Sequence, residues 1–259
     1  MGSSGYFETA VLAVKEAGKI HKKYFNQKFE INTKGTPFDL VTVADIEAEK
    51  KIVEVIRGYF PEHNFLGEEN NYDKTDSEYK WIIDPLDGTN NFAHSLPIFC
   101  VSIALAKNDK LLLGVIYDPL REELFYAEKN KGAFLNGQKI SVSNIDKLAG
   151  SLLITGFYYD RGKDMMETLD KIRQFLQLNI TGVRRLGSAA LDLCYVACGR
   201  ASGFWEYVLS PWDFAAGKLI VEEAGGNVTG RFGETVLLEK SYIVASNGKI
   251  HKDMLDVLK

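Results

Sequence analysis

The sequence predicts a mixed α/β protein in which two sheets share helices within one unit. Three observations predict it. Apolar residues recur at helical spacing in the first sixty residues, switch to a period of two from Trp81 onward, and then mix both periods in the second half. Turn pairs such as Asn136-Gly137 stand between the runs. No Pro-, Ser- or Gly-rich linker separates the halves, so residues 1–259 read as a single domain.

Taken in order, Phe7, Val11, Val14, Gly18 and His21 share one helical face and predict a helix from about Tyr6 to Tyr24. Ala48, Ile52, Val55, Ile56 and Tyr59 predict a second from about Ala44 to Tyr59, closed by Pro61. Trp81-Ile82-Ile83 is a short buried strand, expected to stop at Asp84-Pro85 because proline cannot extend a regular ladder. Phe99, Val101, Ile103 and Leu105 alternate with the smaller Cys100, Ser102, Ala104 and Ala106, which is strand chemistry. Leu111 to Tyr117 and Glu123 to Ala127 read as further strands, and Asn136-Gly137 as a hairpin turn between Phe134-Leu135 and Lys139-Ile140. Leu152 to Thr155 predicts a strand, Met165 to Leu176 a helix and Thr181 to Arg185 another strand. Ser188 suits the cap of a helix that Gly199 ends, and Asp213 the cap of one running from about Phe214 to Ala224. Tyr242 to Ala245 and His251 to Leu258 predict a last strand and a last helix.

Composition excludes several classes. Lys and Arg number 31 against 35 Asp and Glu, a net charge of -4, so no basic stripe is available to displace counterions from nucleic acid. No apolar run approaches the roughly 20 residues that cross a bilayer. Met-Gly-Ser-Ser-Gly lacks the basic and apolar regions of a signal peptide, so a cytoplasmic location is expected. Cys100, Cys194 and Cys198 are odd in number and sit in apolar surroundings, where packing is the expected role.

Chemistry gathers in the carboxylates. Asp39, Asp45, Glu68, Glu69, Asp84, Asp87 and Asp213 stand at element ends. Asp84 and Asp87, three apart across Pro85-Leu86, can aim their oxygens into one space. Gly88 removes a side chain, and Thr89 adds a hydroxyl and an N–H group suited to phosphate. Hard oxygen donors without nearby histidine favour magnesium over zinc. Each piece has a plainer reading: a turn at residues 84–89, a helix cap at Asp213, a solvated loop at Glu68-Glu69.

Three runs occurring in order decide between these readings: Gly67-Glu68-Glu69, Asp84-Pro85-Leu86-Asp87-Gly88-Thr89 and Trp212-Asp213-Phe214-Ala215-Ala216-Gly217. With residues 39–45, Gly187-Ser188-Ala189-Ala190 and Glu222 to Gly226, they resemble the inositol monophosphatase family, in its bacterial SuhB-type form, within the lithium-sensitive, magnesium-dependent phosphatases. The resemblance implies a layered α/β/α/β/α sandwich, usually a homodimer. It implies magnesium-dependent hydrolysis of a small phosphate monoester by metal-activated water, with inositol 1-phosphate the first expected substrate. Fructose 1,6-bisphosphate or histidinol phosphate remain alternatives, as does a non-catalytic role in a transcription complex.

It also implies residue roles. Glu68, Asp84 and the Leu86 carbonyl would hold one ion; Asp84, Asp87 and Asp213 a second; and a third, weaker ion would lie near Glu68. Gly88 and Thr89 would bind phosphate oxygens, Asp45 would orient Thr89, and Thr89 with Glu68 would place the attacking water. Leu86, Asp87, Gly187, Ser188, Ala189, Glu206 and Asp213 would line the substrate side, with Glu206 accepting substrate hydroxyls; its plainer reading is an exposed loop charge. Trp205 and Trp212 would flank this pocket, and Arg184-Arg185 would pack near a dimer interface or, alternatively, meet phosphate. Lys34 and Thr36 would stand behind the first ligands, residues 157–163 would touch larger substrates, and movement of the Asn70 to Tyr79 loop would control metal occupancy.

Overall fold

A computed structural model describes residues 4–27, 31–33, 40–157 and 162–259. The chain opens with helix α1 (Ser4–Tyr24), passes a small antiparallel pair, β1 (Ile31–Thr33) and β2 (Leu40–Thr42), and enters helix α2 (Val43–Tyr59). Strands β3 (Asn64–Gly67) and β4 (Tyr79–Asp87) follow, then the short helix α3 (Thr89–Ala93). A meander of β5 (Cys100–Lys107), β6 (Lys110–Asp118), β7 (Glu123–Glu128), β8 (Gly132–Leu135) and β9 (Gln138–Lys139) completes a seven-stranded sheet in chain order, antiparallel apart from the β3–β4 pair.

The second half comprises β10 (Leu152–Thr155), α4 (Lys163–Gln177), β11 (Gly182–Arg184), α5 (Ala189–Ala197), β12 (Gly203–Leu209), α6 (Pro211–Glu223), β13 (Asn227–Thr229), β14 (Ser241–Ser246) and α7 (His251–Leu258). Its five strands order as β11-β10-β12-β14-β13.

Sheet alternation explains the layering. Trp81, Ile83, Val101, Ile103 and Val115 turn one face of the large sheet to Ala10, Val14 and Ala17 of α1 and Ala48, Ile52 and Ile56 of α2. Ile82, Ala104, Ile116 and Phe125 turn the other face to α5 and α6, which also meet Phe204, Ile243 and Ala245 of the small sheet. Trp205, Val244, Phe175 and Met254 form a further cluster on the outer side, where α4 and α7 lie. The order is therefore helices, sheet, helices, sheet, helices, as the resemblance implied. Among the described residues no helix is long and apolar enough to cross a membrane.

Four expectations change. Strand β4 does not stop at Asp84: the ladder pairs Asp84 with Ser102, slips, and resumes with Asp87 opposite Cys100. Pro85 cannot donate, so the missing bond is absorbed as a bulge rather than a strand end. Ser210, not Asp213, caps α6; Pro211 takes the first helical position and Asp213 reaches back to the Ser210 N–H at 2.7 Å. Residues 203–209 form an unanticipated strand, β12, so Glu206 is not a loop charge. That strand's alternation sends Trp205 into the outer cluster against Phe175, at 4.8 Å between ring centroids, away from the pocket.

Candidate active site

The end of β4, the end of β12 and the first turns of α3, α5 and α6 meet at a crevice of about 280 Å³. It is lined by Glu68, Asp84, Leu86, Asp87, Gly88, Thr89, Gly187, Ser188, Ala189, Glu206 and Asp213, so one space gathers every residue expected of the metal and substrate sides. Trp212 and Arg185 also face it.

The β4 bulge places Asp84 and Asp87. Asp84 is buried, 2% exposed, and its Oδ1 accepts the Leu86 N–H at 3.0 Å. Asp87 is held from the far side: its Oδ2 accepts the Ser188 hydroxyl and the Ala190 N–H, each at 2.7 Å. The Ser188 hydroxyl therefore serves Asp87, while Ser188 also caps α5 as expected. Gly88 turns the chain into α3 at φ +101°, and a Cβ there would meet the Ile98 carbonyl at 2.8 Å, so only glycine fits both constraints.

Asp45 reaches the crevice through Thr89. It is the third residue of α2, whose cap is Thr42; its Oδ2 accepts the Thr42 N–H at 2.7 Å and the Thr42 hydroxyl at 2.6 Å. Its Oδ1 lies 3.0 Å from the Thr89 hydroxyl, which also lies 2.9 Å from the Leu86 carbonyl. A hydroxyl has one proton for these two acceptors, so Thr89 is pinned between them.

Electrostatics mark the cluster. Burial pushes Asp84 well above the usual carboxylate range, and the charges of Glu68, Asp87 and Asp213 push it further. Burial, Glu68 and Asp87 act likewise on Asp213, against the hydrogen bond from Ser210. Asp45 and Asp87 rise to about 6, chiefly by burial, with the bonds from Thr42 and Thr89 lowering the first and those from Ser188 and Ala190 the second. Burial lifts Glu206 to about 8 despite the opposing charge of Arg185. Such a set is costly when ionised and uncompensated, and a hard dication is the group that would reverse the cost. Among the described residues no three His, Cys, Asp or Glu side chains close on a point tightly enough to hold a metal by themselves. Water, and for the ion at Glu68 and Asp84 the Leu86 carbonyl, would have to complete the shells.

Other expectations find their places. Cys100 packs over the site, its Sγ 3.9 Å from Asp87 Oδ2, and Cys194 is a buried free thiol in the core. Arg184 and Arg185 are both exposed, and Arg185 lines the crevice, where its charge acts on Glu206. In the 70–79 loop, Tyr72 bonds Glu49 at 2.7 Å, and Asn64 bonds Thr75 and Ser77. Lys34, Thr36, Asp39 and residues 158–161 lie outside the described residues. Sequence reading missed Glu49 and Asp192. Both are buried, and Asp192 Oδ1 has no hydrogen-bond partner among the described residues. The signals were there: Glu49 follows Asp45 by one helical turn, and Asp192 interrupts the apolar run of α5.

Residues 4–258 match the family model described as "Inositol monophosphatase family". An inositol-1-monophosphatase of Synechocystis sp. is 45% identical over 254 residues, spanning 98% of this chain and 88% of that protein. A protein named Nus factor SuhB of Escherichia coli is 43% identical over 249 residues, spanning 95% and 92%. Among solved structures, extragenic suppressor protein suhB of Bartonella henselae superposes with a TM-score of 0.94 at 39% identity, covering 98% of each chain. A structure described as an IMPase/NADP phosphatase complexed with Mg2+ and phosphate gives 0.85 at 26% identity, covering 98% and 95%. The chain belongs to the inositol monophosphatase family.

Proposed function

We propose that the protein is a magnesium-dependent phosphatase that hydrolyses a small phosphate monoester, foremost inositol 1-phosphate to inositol and phosphate. One observation carries this reading: Glu68, Asp84, Asp87 and Asp213 are brought together in a crevice beside Thr89 and the first turns of three helices. The Mg2+ and phosphate named with one structural neighbour support it. Glu68, Asp84 and the Leu86 carbonyl would hold one ion, and Asp84, Asp87 and Asp213 a second, with a third near Glu68. When bound, magnesium neutralises these carboxylates, draws the phosphate in and makes an attacking water more acidic.

The chain's own groups supply the rest. Gly88 and Thr89 offer backbone N–H groups to phosphate oxygens at the start of α3. Asp45 takes the Thr89 hydroxyl proton as a hydrogen bond, so the Thr89 oxygen has lone pairs to receive and aim a water, with Glu68 as the other guide. Asp213 faces the crevice, placed to hold the water that returns a proton to the departing alkoxide. Glu206, half-buried beside Gly187, Ser188 and Ala189, accepts substrate hydroxyls. The same reading includes inhibition by lithium, a homodimer in solution and a cytoplasmic location.

The test is phosphate release with magnesium from inositol 1-phosphate beside fructose 1,6-bisphosphate and histidinol phosphate at matched concentrations. The highest kcat/KM on inositol 1-phosphate is expected. A decisive win for another substrate would move the assignment of the Glu206 side, and no release from any of them would overturn the phosphatase reading. The name Nus factor SuhB carried by relatives favours a second reading, a non-catalytic place in a transcription complex. Under it, Asp84→Asn should retain partners in a pull-down as well as the parent does.

A further inference from the structure

Glu49 follows Asp45 by one turn of α2 and so shares its face. It is fully buried, and its carboxylate collects four donors. Oε2 accepts the Glu69 N–H at 2.9 Å. Oε1 accepts the Asn70 N–H at 2.9 Å, the Asn70 side-chain amide at 2.9 Å and the Tyr72 hydroxyl at 2.7 Å. On the other side, a Cβ at Gly67 would lie 2.7 Å from both carboxylate oxygens, so the chain passes Glu49 in direct contact. Arg57, two turns further along α2, lies over the rings of Phe65 and Tyr72, at 5.2 and 5.6 Å from their centroids. The bracketed residue is Glu68: the residue before it touches Glu49, and the two after it are bonded to Glu49.

We propose that Glu49 is a positioning residue that sets the place of Glu68, and through it the affinity of the crevice for a divalent cation. The inference rests on the reading that Glu68 helps to hold such a cation. One helix face then reaches both sides of the crevice, with Asp45 holding Thr89 and Glu49 holding the Glu68 turn, so the spacing between them is a property of α2. The carboxylate matters beyond its shape. A glutamine there could offer its oxygen to the three donors on one side, but its NH2 would confront the Glu69 N–H, and the turn would have to shift.

Isothermal titration of the metal-free protein with magnesium tests this without using turnover. The variants are Glu49→Gln, Tyr72→Phe, which removes one of the four donors, and Ile52→Val, which thins the core beneath α2 without touching the turn. Glu49→Gln should weaken magnesium binding roughly 10–100-fold, the usual effect of losing a group that orients a metal ligand. Tyr72→Phe should weaken it by a smaller factor in the same direction. Ile52→Val should lower the melting temperature and leave binding unchanged. In phosphate release, Glu49→Gln should raise the half-saturating magnesium concentration far more than it lowers kcat at saturation.

Unchanged magnesium binding in a folded Glu49→Gln protein, where the parent binds, overturns the proposal alone. Should Glu49→Gln fail to fold, unchanged binding in Tyr72→Phe does the same. A parent that binds no magnesium removes the underlying reading of Glu68 and the proposal with it.

Discussion

Glu49 and Asp84 are both buried carboxylates, and the protein treats them in opposite ways. Glu49 is enclosed by four hydrogen-bond donors from residues 69, 70 and 72. Asp84 accepts the Leu86 N–H and meets Glu68 through a side-chain hydrogen bond, but among the described residues it gathers no further donors and faces the charges of Glu68, Asp87 and Asp213. A buried charge surrounded by donors fastens chain segments together. A buried charge surrounded by its own sign raises the free energy of the empty protein, and binding a cation releases that cost. The difference separates scaffold from site using burial and hydrogen bonds alone.

The sharpest way to break the comparison is Asp84→Asn. Phosphate release in saturating magnesium should fall at least about a hundredfold, because several kcal/mol of charge stabilisation are lost with the ligand. The metal-free protein should melt no lower than the parent, since one member of a repelling group has become neutral. A melting temperature lowered as far as by a Glu49 variant would show that Asp84 is scaffold after all.

Next in size is Glu49→Leu, which removes the acceptor of four part-buried hydrogen bonds. Unfolding free energy from a denaturant titration should fall by about 1–2 kcal/mol, from the hydrogen bonds lost. A change below about 0.5 kcal/mol would remove the scaffold half of the comparison.

The pH dependence of the metal-free protein sharpens the contrast. Asp45 and Asp87 at about 6 and Glu206 at about 8 lie above their unfolded values. The folded protein therefore holds more protons, and this stabilisation is complete below the ordinary carboxylate range and lost as pH rises through 6 to 8. Melting should be several degrees lower at pH 8.5 than at pH 5.5, and magnesium should close only the part that Asp87 contributes, since Asp45 and Glu206 would hold no ion. No difference in melting between the two pH values would show that these carboxylates are not held protonated by the fold.

The smallest effect concerns His21, buried between Phe92 and Phe99, with no hydrogen-bond partner for either ring nitrogen among the described residues. Burial lowers its pKa to about 3, although the nearby Pro85 backbone favours the charged ring without closing a hydrogen bond. The unfolded chain binds the extra proton here, so this contribution is present above pH 6.5 and is lost as pH falls toward 3. His21→Phe should flatten the acid side of the melting profile and change turnover less than twofold.

Much of this was legible in the sequence, for local reasons. Helices α1 and α2 show their apolar period, β5 alternates large with small residues, and Asn136-Gly137 marks its hairpin. Strand β12 was not legible, because Gly-Phe-Trp-Glu-Tyr-Val-Leu turns bulky residues to both faces and puts Glu206 among them, leaving no clean period. The cap of α6 could have been found: Ser210 before Pro211 is a start signal, and Asp213 three residues on fits the box.

By itself, then, the sequence determined the periods, the caps, the Gly88 turn and the set of oxygen donors, because each depends on neighbours a few residues away. It also carried the family resemblance, and with that the expected partners of Asp84. Only the tertiary structure decided which carboxylates are compensated. The donors to Glu49 come from twenty or more residues away, and the hydroxyl and N–H donors to Asp87 from about a hundred. Trp205 facing α4 and Glu206 facing the crevice followed from how β12 sits between two helical layers. A buried charge costs or stabilises according to what lies within hydrogen-bond reach, and in this fold that is set by segments far apart in the chain.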